Sequence, residues 1–183
     1  DFGKYDGKGD RKGIQGKSRD FSKIDIVSDI TDIPVASGAY DAVLCVEVLE
    51  HLPRPLDALK ELSRVLKKNG SLILTAPFSS LTHYSPFFYY SGFSENFYTV
   101  NLPLLGFKVE EIYLYGNYFE YIAFELIRTP LVAWRNNKFY GFLTAICSVL
   151  VIPTFIILRV LGLLLPNSKH LLCLGICIKA KFK

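Results

Sequence analysis

The sequence predicts an open α/β sheet flanked by helices, with an apolar helical insertion before its last strand, on three observations. A short apolar run at 42–46 ends abruptly in Glu47, Glu50 and His51. A segment of helical period from Pro55 and a second apolar run at 71–76 follow with short joints, the pattern of a parallel strand–helix–strand unit. Twenty uncharged residues, 139–158, then precede a final alternating segment at 171–183.

With 183 residues the chain has room for one domain and an appendage. Half of the residues are apolar and mean hydropathy is +0.27, so material for a core is ample. The net charge of +4 is not gathered into a long basic block. Residues 3–23 are basic and glycine-rich but lack the interleaved aromatics of a nucleic-acid binder, which argues against a nucleic-acid partner. The chain has no methionine and opens Asp-Phe-Gly, which predicts a fragment whose start lies upstream. Cys45, Cys147, Cys173 and Cys177 sit in apolar segments without metal-ligand spacing; reduced core thiols in a cytoplasmic, reducing compartment are expected.

Residues 1–20 read as a loop rich in Gly, Lys and Asp. Residues 24–30, Ile-Asp-Ile-Val-Ser-Asp-Ile, carry β-branched side chains and read as a strand ending at Asp29. Residues 42–46, apolar on both faces, predict a central parallel strand covered by helices on both sides. Pro55 suits the first helical position, Asp57 the first turn, and Leu56, Leu59, Leu62, Val65 and Leu66 form one face. Lys67 and Lys68 are expected in the last turn, with Asn69-Gly70 as a left-handed cap. A third strand, 71–76, stops at Pro77.

Residues 78–97 read as a loop dense in aromatics, after which Ser94 starts a helix limited by Pro103. Residues 107–114 alternate as a strand, and 117–132 carry helical spacings. The apolar run at 139–158 has the length of a membrane span, with Trp134, Arg135, Lys138, Phe139 and Tyr140 as an interfacial flank. If the last segment joins the sheet, a single crossing is impossible. Three arrangements remain: a buried helical pair, an interfacial hairpin bent near Pro153, or an anchor with a disordered tail. The expected domains are 1–133, an insertion at 134–168 with membrane-surface contact through 139–165, and a closing strand at 169–183.

Ionisable groups where a strand emerges mark the ligand side of an open α/β sheet. Asp1, Asp29 with Ile30, and the turn of Cys45, Val46 and Glu47 stand at successive strand ends; singly each Asp is more readily a turn or cap residue, but together in strand-end register they favour a ligand site. His51 and His83 are candidate bases, with Tyr84 as an orienting hydroxyl; the bland alternatives are a histidine capping the corner and a loop histidine.

The stretches Asp25-Ile-Val-Ser-Asp-Ile30, Tyr40-Asp-Ala-Val-Leu-Cys-Val-Glu-Val-Leu-Glu-His-Leu52 and Gly70-Ser-Leu-Ile-Leu-Thr-Ala-Pro-Phe78 resemble the class I S-adenosylmethionine-dependent methyltransferases, type 11 branch. Leu81-Thr-His-Tyr84 and Gly116-Asn-Tyr-Phe-Glu-Tyr121 resemble a bacterial subgroup. The resemblance covers about 1–128 and 171–181. It implies a Rossmann-like sheet lacking its first strand and helix, with S-adenosyl-L-methionine as cofactor; the aromatic loop and the apolar stretch 139–165 suggest a small, lipid-linked or sugar acceptor. By this resemblance Asp1 holds the ribose hydroxyls, Asp29 and Ile30 contact adenine, and Cys45, Val46 and Glu47 line the methionine end. The glycine-rich loop of that family is absent from the sequence, which implies that it lies upstream of Asp1 and that this chain alone binds the cofactor poorly. In similar ubiquinone-type O-methyltransferases the Glu-x-x-Glu-His block is associated with a divalent metal; Glu47, Glu50 and His51 are too small a set for one to be expected here. A non-catalytic, membrane-attached scaffold module is the competing expectation.

Overall fold

The computed structural model describes residues 13–14 and 22–183. Its elements run β1 (Tyr40–Val46), a 3-10 turn (Leu49–His51), α1 (Pro55–Val65), β2 (Leu66–Pro77), α2 (Glu95–Leu104), β3 (Phe107–Tyr115), α3 (Tyr118–Asn136), α4 (Lys138–Leu164), a second 3-10 turn (Pro166–His170) and β4 (Gly175–Phe182). The four strands form one sheet in the order β1-β2-β4-β3. β1 and β2 are parallel, and the last strand enters antiparallel beside β2. The chain contacts divide into two compact units, one ending at Tyr113 and resuming at Gly175–Lys183, the other Leu114–Leu174. The helix α3, read from sequence with the α/β domain, groups with α4.

Alternation along the strands fills one face of the sheet. Leu72, Leu74 and Ala76 of β2 lie opposite Ala180, Ile178 and Ile176 of β4, and all six are buried. On β1, Cys45 pairs with Leu74 and is buried too. The intervening residues look the other way: Leu44 is 70% exposed, Val46 49% and Ile73 41%. The expectation of a strand covered on both sides therefore does not hold among the described residues. β1 is an edge strand with one open face, because apolar residues on both sides of a strand permit double coverage without supplying the covering helices.

Two further local expectations give way to pairing. Residues 24–30 form no strand: composition provides β propensity, but a strand needs a neighbour for its backbone groups. Helix α1 ends at Val65, and Leu66 already pairs with Tyr40, so Lys67 leaves the helix and its ammonium meets both Asp41 oxygens at 2.9 Å. The left-handed residue is Asn69, at φ 63°. Gly70 follows for lack of room: a Cβ there would stand 2.8 Å from the Lys67 carbonyl oxygen and 3.1 Å from that of Asp41. Helix α1 buries Ala58, Leu59, Leu62 and Val65, while Leu56 stays exposed.

In the second unit, asparagines start both helices. The Asn117 side chain accepts from Phe119 and Glu120 N–H, and that of Asn137 from Phe139 N–H. Glycines let the helices touch: a Cβ on Gly141 would lie 2.4 Å from Trp134 Cα, and the Gly162 carbonyl accepts from Asn117 Nδ2 at 2.9 Å. Arg159 closes on Glu120 at 2.8 Å. Between these anchors α4 bends by 65° where Lys138–Val149 meets Val151–Leu164. Pro153 places the bend, since its ring meets the carbonyl four residues back, at Val149, and it donates no N–H there. At about 1.5 Å rise per residue, the two legs from Gly141 and Gly162 to the bend are about 14 and 18 Å long. A 65° bend brings their ends to about 27 Å apart, close to the roughly 26 Å between Asn117 and Trp134. Among the described residues no single helix is long and apolar enough to cross a membrane, while the two legs of α4 together are. Because β4 joins the sheet, a single crossing is excluded on the reasoning above.

Candidate functional site

The corner after β1 is built by hydrogen bonds to the neighbouring strand. Glu47 adopts φ 50°, uncommon for a residue with a Cβ. Its N–H donates to the Thr75 carbonyl at 3.0 Å, and its carboxylate accepts from Thr75 Oγ1 at 2.9 Å. This turns the chain into the 3-10 turn that buries Leu49 and Glu50 completely. The aromatic loop then closes on the corner. The Glu50 carbonyl accepts from Tyr89 and Tyr90 N–H at 2.9 and 3.2 Å, and His51 Nδ1 meets the Phe87 carbonyl at 2.5 Å.

His83 arrives by a different route. Ile14 N–H donates to the Thr82 carbonyl, and Tyr84 N–H to the Ile14 carbonyl, so a piece of chain near the start clamps 82–84. Gly13 makes the approach possible, since a Cβ there would stand 2.3 Å from the Thr82 oxygen. The result is an aromatic cluster: the rings of His51 and His83 are 4.7 Å apart and edge-on, and Tyr84 is 5.5 Å from each. Carbonyl oxygens only accept, so a histidine donating to one carries its proton on Nδ1 and presents Nε2 as the base. Both histidines are held this way, His83 by the Leu81 carbonyl at 2.8 Å.

Glu50 lies beneath this cluster. Its Oε1 is 3.6 Å from His51 Nε2, and neither carboxylate oxygen is hydrogen-bonded. Burial pushes its carboxyl up to about 7, with the Glu47 charge adding to the effect. One ligand atom from each of Glu50, His51 and His83 lies within 4.8 Å of the others, a spacing that one cation can bridge. This set differs from the one suggested by the sequence block: His83 stands in for Glu47, whose carboxylate is engaged with Thr75.

The three candidate catalytic residues thus come together, although His51 and His83 are far apart in sequence. The candidate cofactor residues are dispersed. Asp29 accepts from Thr31 N–H and Oγ1 at 2.9 and 2.8 Å, an Asx turn that also holds Ile30. The loop beyond it is tied to α1, where Arg64 donates to the carbonyls of Ile33 and Val35 and Glu61 accepts from Ile33 N–H. Cys45 points into the core, where burial, followed by the Glu50 and Glu47 charges, pushes its thiol up to about 12. Val46 faces the open side. Asp1 lies outside the described residues. A cleft of about 450 Å³ between Thr31, Arg54, Asp57 and Arg64 contains none of these candidates. The residue that sequence reasoning undervalued is Glu50, weighed only as a metal ligand; its place three residues after Glu47 and directly before His51 was the available signal.

Residues 11–74 match the family model described as a methyltransferase domain, a stretch that holds β1, the Glu47–His51 corner, α1 and most of β2. Over this stretch, about a third of the chain, the sequence is similar to methyltransferase domains. A ubiquinone biosynthesis O-methyltransferase of Dechloromonas aromatica is 33% identical over 60 residues, 33% of this chain and 25% of that protein. An uncharacterized protein of Methanocaldococcus jannaschii is 43% identical over 49 residues, 27% of this chain and 21% of its own. The match therefore spans a quarter or less of these relatives' length. Among solved structures, a SAM-dependent methyltransferase from Archaeoglobus fulgidus aligns with TM-score 0.49 at 16% identity, over 84% of this chain and 65% of its own. The YcgJ protein of Bacillus subtilis aligns with TM-score 0.46 at 10% identity, over 85% and 69%. At these scores the structural likenesses carry no argument.

Proposed function

We propose that the chain is part of an S-adenosylmethionine-dependent methyltransferase acting on a hydroxyl of a small acceptor, lipid-linked or sugar. The support is the cluster of His51, His83 and Tyr84 over the buried Glu50 at the carboxyl end of β1, in a segment of methyltransferase sequence. The donor set fits the cofactor in part. Glu47 and the exposed Val46 offer a carboxylate beside an apolar surface, suited to a cationic, partly apolar ligand. A glycine-rich cradle is not among the described residues.

When bound, the cofactor supplies an electrophilic methyl group. The chain's own part is to hold the acceptor and take its proton. His51 Nε2 receives the hydroxyl proton, and the Glu50 carboxyl 3.6 Å away stabilises the imidazolium that forms. His83 packs edge-on against His51 and fixes its ring, and Tyr84 orients the acceptor. The apolar second unit allows such an acceptor to be met at a membrane surface.

Calorimetry of the complete protein with S-adenosylhomocysteine tests the cofactor reading. No heat at millimolar ligand would overturn it in favour of a scaffold module. The His51→Ala variant should bind S-adenosylhomocysteine as before and lose about 10²- to 10⁴-fold in methyl transfer. Undiminished transfer would remove His51 from the reaction.

A further inference from the structure

The charge of this chain is unevenly distributed. All 17 Asp and Glu residues lie at or before Glu125. From 126 to 174 there are five cations, Arg128, Arg135, Lys138, Arg159 and Lys169, and no anion. Within the same stretch α4 presents an apolar outer stripe. Phe142, Ile146 and Val149 before the bend, and Ile156, Val160 and Leu163 after it, repeat at three and four residues and are all exposed, Leu163 by 78%. The glycine contacts and the Glu120–Arg159 pair account for the opposite side of α4 against α3. At the joint between the helices, Trp134, Arg135, Lys138 and Tyr140 are exposed together.

We propose that the bent helix α4 lies in the plane of an anionic lipid surface, with its outer stripe in the acyl boundary and Arg135 and Lys138 on the headgroups. The stripe explains the affinity for an interface, and Arg135 and Lys138, exposed at the joint, select its charge, since Arg128 and Arg159 are paired with Glu125 and Glu120. An aromatic pair beside the two cations is the side-chain combination found at headgroup depth. The bend removes the alternative of a straight span, and a chain that leaves and rejoins one sheet does not cross once. The proposal takes up the membrane part of the preceding reading and does not depend on catalysis, so the two can fail separately.

The test is co-sedimentation of the complete protein with vesicles of phosphatidylcholine alone, and with about one lipid in three replaced by phosphatidylserine. Binding is expected on the anionic vesicles, weakened at high salt, and much less on the neutral ones. The Arg135→Ala/Lys138→Ala variant should lose roughly fivefold per charge on the anionic vesicles. Val149→Asp with Leu163→Asp, both on exposed positions, should abolish binding while circular dichroism keeps its helical signal. Three results would overturn the proposal: recovery in the supernatant with both vesicle types, equal binding to both, or an unchanged double-alanine variant. A stable dimer by light scattering with no vesicle binding would overturn it as well, in favour of a second copy of the chain on this face.

Discussion

Replacing Glu50 by glutamine tests the electrostatics of the corner through stability alone. The carboxyl is fully buried without a hydrogen bond, and burial raises its pKa from an ordinary 4.5 to about 7. Between these values the folded protein holds the proton and the unfolded chain has released it. Stability therefore falls as pH rises from about 4.5 to about 7, and the loss is complete above the folded value. A difference of about 2.5 in pKa, at about 1.4 kcal/mol per unit, sets the loss at up to about 3 kcal/mol. Any charge on His51, 3.6 Å away, reduces it. Glutamine keeps the shape and cannot ionise. Glu50→Gln should match the wild type near pH 4.5, exceed it by up to about 3 kcal/mol at pH 8, and flatten the slope between. Urea unfolding of both proteins at half-unit pH steps measures this. A glutamine variant less stable than the wild type at pH 8 would refute the reasoning, because it would mean that the ionised carboxylate is favourably paired in the fold rather than destabilised by burial.

Three further outcomes follow from the packing. Cys45, buried with a thiol pushed up to about 12, should resist iodoacetamide at pH 8 in the folded protein while the exposed Cys147 is labelled, as read by peptide mass spectrometry; equal labelling would contradict the burial. Gly141→Ala places a methyl 2.4 Å from Trp134 Cα, where backbone cannot yield, and should cost roughly 1–3 kcal/mol in unfolding experiments. Asn117→Ala removes both the cap of α3 and the donor to the Gly162 carbonyl, for a loss of about 2 kcal/mol in the same measurement; no change would show that the helices are not joined there.

Local chemistry was readable wherever it suffices to specify an element. Pro55 opens α1, Ser94 precedes α2, and the alternation of 107–114 and the closing segment become β3 and β4. Residues 24–30 show where this stops: their β-branched side chains suit a strand, but only a partner's backbone makes one. The same limit explains the open face of β1, because Leu44 and Val46 would suit a covered strand equally well.

The site divides along the same line. The sequence by itself determined that Glu47, Glu50 and His51 stand where an apolar strand ends, that an aromatic loop follows, and that no acid lies beyond Glu125. Only the tertiary structure decided what they do. Hydrogen bonds to Thr75 occupy Glu47, the clamp of Ile14 on 82–84 brings His83 beside His51, and closure of the aromatic loop completes the burial of Glu50. Residue type and spacing set which groups can ionise. Desolvation and proximity set which of them do, and both arise from contacts between segments distant in the chain.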